Sequence, residues 1–388
     1  MTAKKLFKAL LLAQVFSLTA AFAVDFGGSL KNISNIKGKN FSSLKLDQID
    51  DLALWVKVPF TKNGDMYLVA EGLYEFEYDQ SKEKAFNRLD LDLLKFAAKL
   101  KLNGASLNVN AGRFIFSDLT GLIFNQNADG AFVSYEAPFF NVSAYGAYTG
   151  LLNAGLVKMI NHKNDPFSFD ENSPYELAQK YLVGAATLSF PRVAKTQNVA
   201  AQFLGAFKVD GRSFNRMYAS LSAGGPVYRT LFYSVSSTLG LQSYDGASID
   251  ISNLSRVNLT CYLPVKDLSL SLGALYASGS NGPLEGFCGF SKVNAYNSLR
   301  DPQHSGVAKL SFMATAKPFE KLLAYAGCDM IVDASSSSAK YKGFQYSVGA
   351  DWQAFSDLKV GVGFLQYIDD KNSDENKIQL SLNALLTF

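Results

Sequence analysis

The chain has 388 residues, with 37 Lys and Arg against 34 Asp and Glu, three Cys and two His. Lys4, Lys5 and Lys8 fall in a leading segment that holds no acid, so beyond it 34 basic residues (37 less three) meet 34 acidic ones, and no net charge is left to draw nucleic acid. Three scattered Cys exclude a disulfide scaffold, and the lack of zinc spacing, phosphate loop or nucleotide fingerprint argues against an enzyme, a cofactor or a metal.

Residues 1–23 read as a secretory signal peptide: three Lys, the apolar run "ALLLAQVFSLTAAFA", and the small-residue ending Ala21-Phe22-Ala23. The run is shorter than the roughly 20 residues of a spanning helix. Cys261 is the first Cys, which excludes a lipid-anchored amino terminus. The remaining 24–388 show no Pro-rich or charge-block linker, so one domain is expected despite a length that would divide a soluble protein.

Two-residue alternation, the signature of half-buried strands, then recurs to the end. A first strand is expected at 24–36, followed by 52–59. In "MYLVAEGLYEFEY", Met66, Leu68, Ala70, Tyr74, Phe76 and Tyr78 oppose Glu71, Glu75 and Glu77. Strands follow near 89–102, 105–116, 131–137, 141–150, 181–190, 198–209, 214–223, 228–242 and 254–263. Then come "LSLSLGALYAS", "AKLSFMATAK", 321–332, "YSVGADW", 358–367 and the closing "KIQLSLNALLTF". Cys261 and Cys328 sit among apolar neighbours and read as small greasy residues.

The connections alternate in size. Short ones, such as "PFTKNGD", "APFF", "GGP", "KPFEKL" and "AFSDL", take turns with long polar ones at 79–88, 151–179, 243–253, 279–304, 333–340 and 369–377. Phe60, Phe139, Phe140, Phe319 and Phe355 mark the short turns, while Tyr74, Phe76, Tyr78, Tyr148, Tyr276 and Tyr367 lie toward the other strand ends. Short turns on one rim, long loops on the other and two aromatic girdles predict an all-β transmembrane antiparallel barrel of roughly 16 to 18 strands. Only a closed barrel satisfies every strand's backbone in lipid. Seventeen strands counted from residue 52, plus the one at 24–36, give the even number such a barrel requires.

The last strand places Leu382, Ala384, Leu386 and Phe388 on one face. A carboxy-terminal strand of alternating apolar residues ending in Phe resembles the insertion signal of bacterial outer-membrane β-barrel proteins, and the whole pattern is porin-like. The resemblance implies export to the bacterial outer membrane, contact with its lipid, and handling by the barrel-assembly machinery. It identifies no individual family, and leaves a homo-oligomer open.

If the apolar set faces lipid, the other set lines the lumen. Pairing across "DQSKEKAFNR" is expected to set Glu77 near Asp90 and Glu75 near Asp92. That would make a carboxylate mouth favouring cations, with Glu71 on the same face and Lys95, Lys99 and Lys101 lower down. A counter-reading has Lys or Arg from an inward loop neutralising it. The Leu93–Leu94 doublet predicts a bulge. Arg113 points to lipid under strict alternation. A bulge at Gly112 would turn it inward toward Asp118 or Asp129 and send Phe114 and Phe116 out; an Arg snorkelling at the interface is the other option. Ser234, Ser236, Thr238, Ser269, Ser271 and Gly273 give a wall of hydroxyls and space. His162 and His304 fall in long loops and read as solvated residues. A passive channel for small hydrophilic solutes is therefore expected; the alternative is a closed barrel whose loops at 151–179 and 279–304 act as an adhesin.

Overall fold

A computed structural model describes residues 24–388 apart from 40, 42, 158, 161–172, 174, 212, 280–283, 293–298, 300–304 and 336–339. The leader at 1–23, His162 and His304 lie outside the described residues. Eighteen antiparallel strands run in chain order: β1 (Asp25–Gly38), β2 (Lys45–Pro59), β3 (Met66–Asp79), β4 (Lys84–Leu102), β5 (Ala105–Ser117), β6 (Asn125–Glu136), β7 (Asn141–Tyr148), β8 (Tyr181–Val193) and β9 (Gln197–Lys208). The second half comprises β10 (Phe214–Tyr228), β11 (Leu231–Tyr244), β12 (Asp250–Leu263), β13 (Leu268–Ala277), β14 (Val307–Phe319), β15 (Leu322–Asp333), β16 (Lys340–Gln353), β17 (Leu358–Asp369) and β18 (Lys377–Thr387). Each pairs with the next, and β18 returns to β1 from Ser29↔Thr387 to Gly38↔Ile378. No edge is left at the ends of the sheet, as a wall in lipid demands.

All eighteen expected strands are present. Several begin earlier than alternation alone indicates: β2 at Lys45, β4 at Lys84, β6 at Asn125 and β16 at Lys340. These extensions lie on the long-loop side, where polar residues such as Asp47, Lys84 and Lys340 interrupt the two-residue pattern without interrupting the ladder.

The outer face carries the apolar set. Leu382, Leu380, Val362, Val348, Leu54 and Leu272 are all exposed, in a chain whose register puts their neighbours Ser381, Gly363 and Ser271 on the opposite face. Phe60, Phe139, Phe319 and Phe355 stand exposed at the short turns, and Tyr74 and Tyr276 near the other rim, as two girdles require. Tyr367 departs from that assignment. It is buried, and its hydroxyl donates to Asp369 Oδ2 at 2.9 Å, because an odd position in β17 faces inward.

The buried cluster lies inside the barrel. Phe114, Phe116, Leu122, Ile123 and Phe124 from the β5–β6 tip meet Ala147, Tyr181, Val183, Leu204, Tyr218, Leu254 and Leu275 from β7 to β13, with Phe287 and Phe290 of the β13–β14 loop. Strands so far apart in the sheet can share a cluster only across the interior, so the β5–β6 tip is folded into the lumen.

Candidate functional site: the barrel lumen

The acidic hairpin is built on a register different from the expected one. Glu75 lies opposite Arg88, Glu77 opposite Phe86 and Leu73 opposite Asp90. The β3–β4 turn is tighter than the "DQSKEKAFNR" loop suggested, so the pairing of Glu77 with Asp90 and Glu75 with Asp92 does not form. The bulge near Leu93–Leu94 does form: Glu71 opposes Leu93 and Gly72 opposes Leu91, which leaves Asp92 as the extra residue.

Arg88 sits between the two glutamates, its Nε donating to Glu75 Oε1 at 2.9 Å and its Nη2 to Glu77. The Arg88 side chain is nearly buried, and Gly155 of the β7–β8 loop closes over it so tightly that a Cβ there would meet Nη1. Arg113 faces Asp129 across the β5–β6 ladder and binds it bidentately, Nε to Oδ1 and Nη2 to Oδ2, each at 2.9 Å. It also lies 3.6 Å from Asp90 and donates to the carbonyls of Leu91 and Leu151. Asp92 accepts from Asn127 Nδ2 at 2.7 Å. Neutralisation therefore comes from the wall itself, through Arg88 and Arg113, with Lys292 of the β13–β14 loop lining the same cavity as Asp90 and Asp92.

Asp118, the other partner considered for Arg113, instead accepts the backbone N–H groups of Thr120, Ile123 and Phe124 and so shapes the tip. Phe114 and Phe116 do not turn outward: both are buried, stacked 4.2 Å apart. Neither ladder shifts register at Gly112, so the bulge expected there does not form; the residue instead bends the strand, with φ of +120° and no room for a Cβ against Leu94 O. Lys95 lies 5.9 Å from the rings of both Tyr67 and Phe114. Together with Lys99, Asn108, Asn110, Ser134 and Glu136 it lines a cavity of about 640 Å³ toward the short-turn side. Lys101, at the strand end, pairs with Asp65 at 3.4 Å.

Three inward segments are locked together on the β7–β13 side. Phe290 and Ser291 donate their backbone N–H groups to Ile123 O at 2.8 and 2.9 Å, Ile160 N donates to Phe290 O, and Leu119 N reaches Gln202 Oε1 on β9. Arg216 of β10 is their anchor. It is fully buried, donates Nη1 to Ile160 O and Gly289 O at 3.0 and 2.9 Å, and lies 4.2, 4.7 and 5.2 Å from the rings of Phe214, Phe290 and Tyr181. Tyr218 OH donates to Cys288 O at 2.6 Å. Burial pushes the Cys288 thiol above its ordinary range, with the Arg216 charge opposing that shift.

The β12–β16 wall is bare by comparison. Ser271, Gly273, Ser311, Gly327 and Ser347 face the lumen at successive positions and leave a niche of about 360 Å³. Above it Lys309 lies 3.8 Å from Asp329, Gln345 Nε2 donates to Asp329 at 3.2 Å, and Arg256 completes the lining. Sequence reasoning found the small hydroxyl wall and missed Arg88, Arg216, Arg256 and Lys309. For Arg88 a signal was present: Arg88 and Asp90 alternate with Leu89 and Leu91, which carries the strand back into the loop assumed at 79–88.

At the closing seam, Gly28 N donates to Phe388 O at 2.8 Å and Phe388 N to Gly28 O at 3.0 Å. A Cβ at Gly28 would collide with the Phe388 ring, so the glycine is the seat of the terminal residue. Leu382, Ala384 and Leu386 share the outer face, opposite Ser34, Asn32 and Leu30.

Neither a protein-family model nor a curated protein matches the sequence. Solved structures do match. The chain is similar to Pseudomonas aeruginosa OpdK, solved with vanillate, at 14% identity and a TM-score of 0.61, over 94% of this chain and 98% of that one. It is similar to P. aeruginosa OpdQ at 11% identity and a TM-score of 0.63, and to OccK2 (OpdF) in complex with glucuronate at 11% and 0.61, each with the same coverage. The chain thus has the fold of outer-membrane proteins of the OpdK kind, an 18-strand closed barrel.

Proposed function

We propose that the protein is an outer-membrane channel of porin type for the passive diffusion of small hydrophilic solutes. The observation that carries this reading is the unequal filling of the lumen. The β7–β13 side holds the inward loops, while the β12–β16 wall keeps a niche lined by Ser, Gly, Arg256 and Lys309. Barrels of 16 to 18 strands are wide enough to leave such a passage. OpdK and OccK2 hold carboxylates, vanillate and glucuronate, and Arg256 and Lys309 offer that chemistry here, so small carboxylates are included among the solutes. The described parts of the long β7–β8 and β13–β14 loops turn into the barrel, which favours a channel over an adhesin. Leu382, Ala384, Leu386 and Phe388 serve as the segment engaged during barrel assembly. Purified protein in planar bilayers is expected to give stepwise conductance, reduced when Arg256 and Lys309 are both replaced by Gln and the current is carried by a small carboxylate. Correctly folded protein that stays silent would reject the channel reading.

A further inference from the structure

The inward face of β4 to β8 carries a polar belt in direct ladder register. Lys99 lies opposite Asn108, Asn108 opposite Ser134, Ser134 opposite Ser143 and Ser143 opposite Thr187. One step nearer the short turns, the same face carries Lys101, Ser106 and Glu136; one step farther from them it carries Ala97, Asn110 and Phe132. Gln202 ties the end of the belt to the β5–β6 tip, its Nε2 donating to Thr187 Oγ1 and its Oε1 accepting from Leu119 N, each at 2.8 Å. The cavity of about 640 Å³ on the short-turn side is therefore a chamber below the tip, with Lys95 Nζ 5.9 Å from the Phe114 ring at its upper limit.

The acids of this chamber are engaged and its ammonium groups are not. Asp65 meets Lys101 at 3.4 Å, and Glu136 accepts from Ser106 Oγ at 3.1 Å and Asn108 Nδ2 at 3.0 Å. Lys57, Lys95 and Lys99 form no ion pair among the described residues. Two of them share one ring: the Nζ atoms of Lys57 and Lys95 lie 4.6 and 5.9 Å from the centre of Tyr67, which lines the chamber. Like charges gathered in this way repel until an anion joins them. A second, independent feature is the neighbouring wall. Asn110, Asn141, Ser143 and Ser189 line the same chamber, and among the described residues their side chains make no hydrogen bond to the protein. The cations lining the chamber are lysines, whereas the β12–β16 wall offers Arg256. A guanidinium fork matches a flat carboxylate; ammonium groups from separate positions act as point charges and suit a compact dianion that accepts from several directions.

We propose that this chamber binds a phosphate monoester of a polyol, such as a sugar phosphate. The phosphate lies between Lys95 and Lys99, whose Cα atoms, four residues apart on one strand, are about 13 Å apart, a span that two extended lysine side chains close onto one group. The hydroxyl-bearing part runs along Asn110 and Ser143. The site is separate from the niche at Arg256 and Lys309 and does not depend on the channel reading. Charge-assisted hydrogen bonds from two ammonium groups support a preference of about tenfold or more over the uncharged sugar.

The test uses the full chain in neutral maltoside micelles, with titration calorimetry of glucose 6-phosphate, glucose, glucuronate and inorganic phosphate at matched ionic strength. Glucose 6-phosphate is expected to bind about tenfold more tightly than glucose or glucuronate. Lys95→Gln with Lys99→Gln should abolish its advantage over glucose, and Asn110→Ala with Ser143→Ala should bring it down to the affinity of inorganic phosphate. Unfolded variants are recognised by the loss of heat-modifiable gel mobility, and the lysine pair is then replaced by the single Lys99→Gln. Glucose or glucuronate bound as tightly as glucose 6-phosphate overturns the phosphate assignment, as does an undiminished affinity in the lysine variant. An undiminished affinity in the Asn110 and Ser143 variant overturns the polyol part. Conductance plays no part in the readout, so a silent channel leaves this result standing.

Discussion

Arg88 and Arg216 are both buried guanidiniums, and they do opposite things to the electrostatics of the lumen. Arg88 is matched by two carboxylates, so removing those acids exposes an uncompensated charge. The double substitution Glu75→Gln, Glu77→Gln should carry the reversal potential in a salt gradient past neutrality to anion preference, whereas an unpaired acidic mouth would only lose its cation preference. It should also lower resistance to denaturant, by up to about 3 kcal/mol for a fully dry pair and less where lumen water screens it. Arg216 has rings and carbonyls as its partners, with Cys288 Sγ 4.0 Å away. Because burial raises the folded thiol above its ordinary value of 9.0, the folded state holds that proton more tightly than the unfolded one. The contribution is complete below the ordinary thiol value and is lost as pH rises through the folded one. Current noise and protease access at the inward loops should therefore rise above about pH 9, and Cys288→Ser should remove that step. A wild type whose loops respond no differently from the variant would disprove the coupling.

At the scale of strands and turns, the two-residue period located every strand, because lipid outside and water inside impose opposite demands on alternate residues. It failed wherever a second demand overrode that one. At Phe114 and Phe116 the period held and the expected exception failed: no register shift occurs at Gly112, so both stay on the inward face opposite to Leu107, Val109 and Ala111, in a tip that is itself core, with Tyr145 and Phe290 as its partners. The register of β3 on β4 was misread because the long-loop ends of these strands stand in polar surroundings, where alternation carries no information about pairing. Gly112 was legible as a point of irregularity, though its consequence was not: the bend takes a whole hairpin tip out of the wall. Gly112→Val puts a β-branched side chain at φ +120° and against Leu94 O. The backbone strain alone costs about 1 to 3 kcal/mol. The expected outcome is a barrel that assembles poorly, seen as a loss of heat-modifiable mobility, with Gly112→Ala milder. Normal assembly of the Val variant would show that the tip can leave the wall by another route.

For the whole molecule, the decisive quantity is how the cross-section is shared between loops and passage. The closed ladder from β18 to β1 fixes the circumference, so the lumen can change only by movement of what is folded into it. The β5–β6 tip is the central part of that filling: Leu122, Ile123 and Phe124 are nearly or fully buried among rings from β7, β8 and the β13–β14 loop, and Ile123 O holds Phe290 and Ser291 in place. Replacing these three side chains by Gly removes the apolar anchor without touching any strand. Each such side chain is worth about 2 to 3 kcal/mol when buried, more than a loop of this length retains by backbone hydrogen bonds alone. The variant should keep heat-modifiable mobility and show a larger, noisier single-channel conductance. Selectivity should weaken with it, since ions would pass farther from Arg256 and Lys309 than the roughly 10 Å over which charge acts at 0.1 M salt. An unchanged conductance would mean that the passage runs wholly along the β12–β16 wall and that the tip does not bound it.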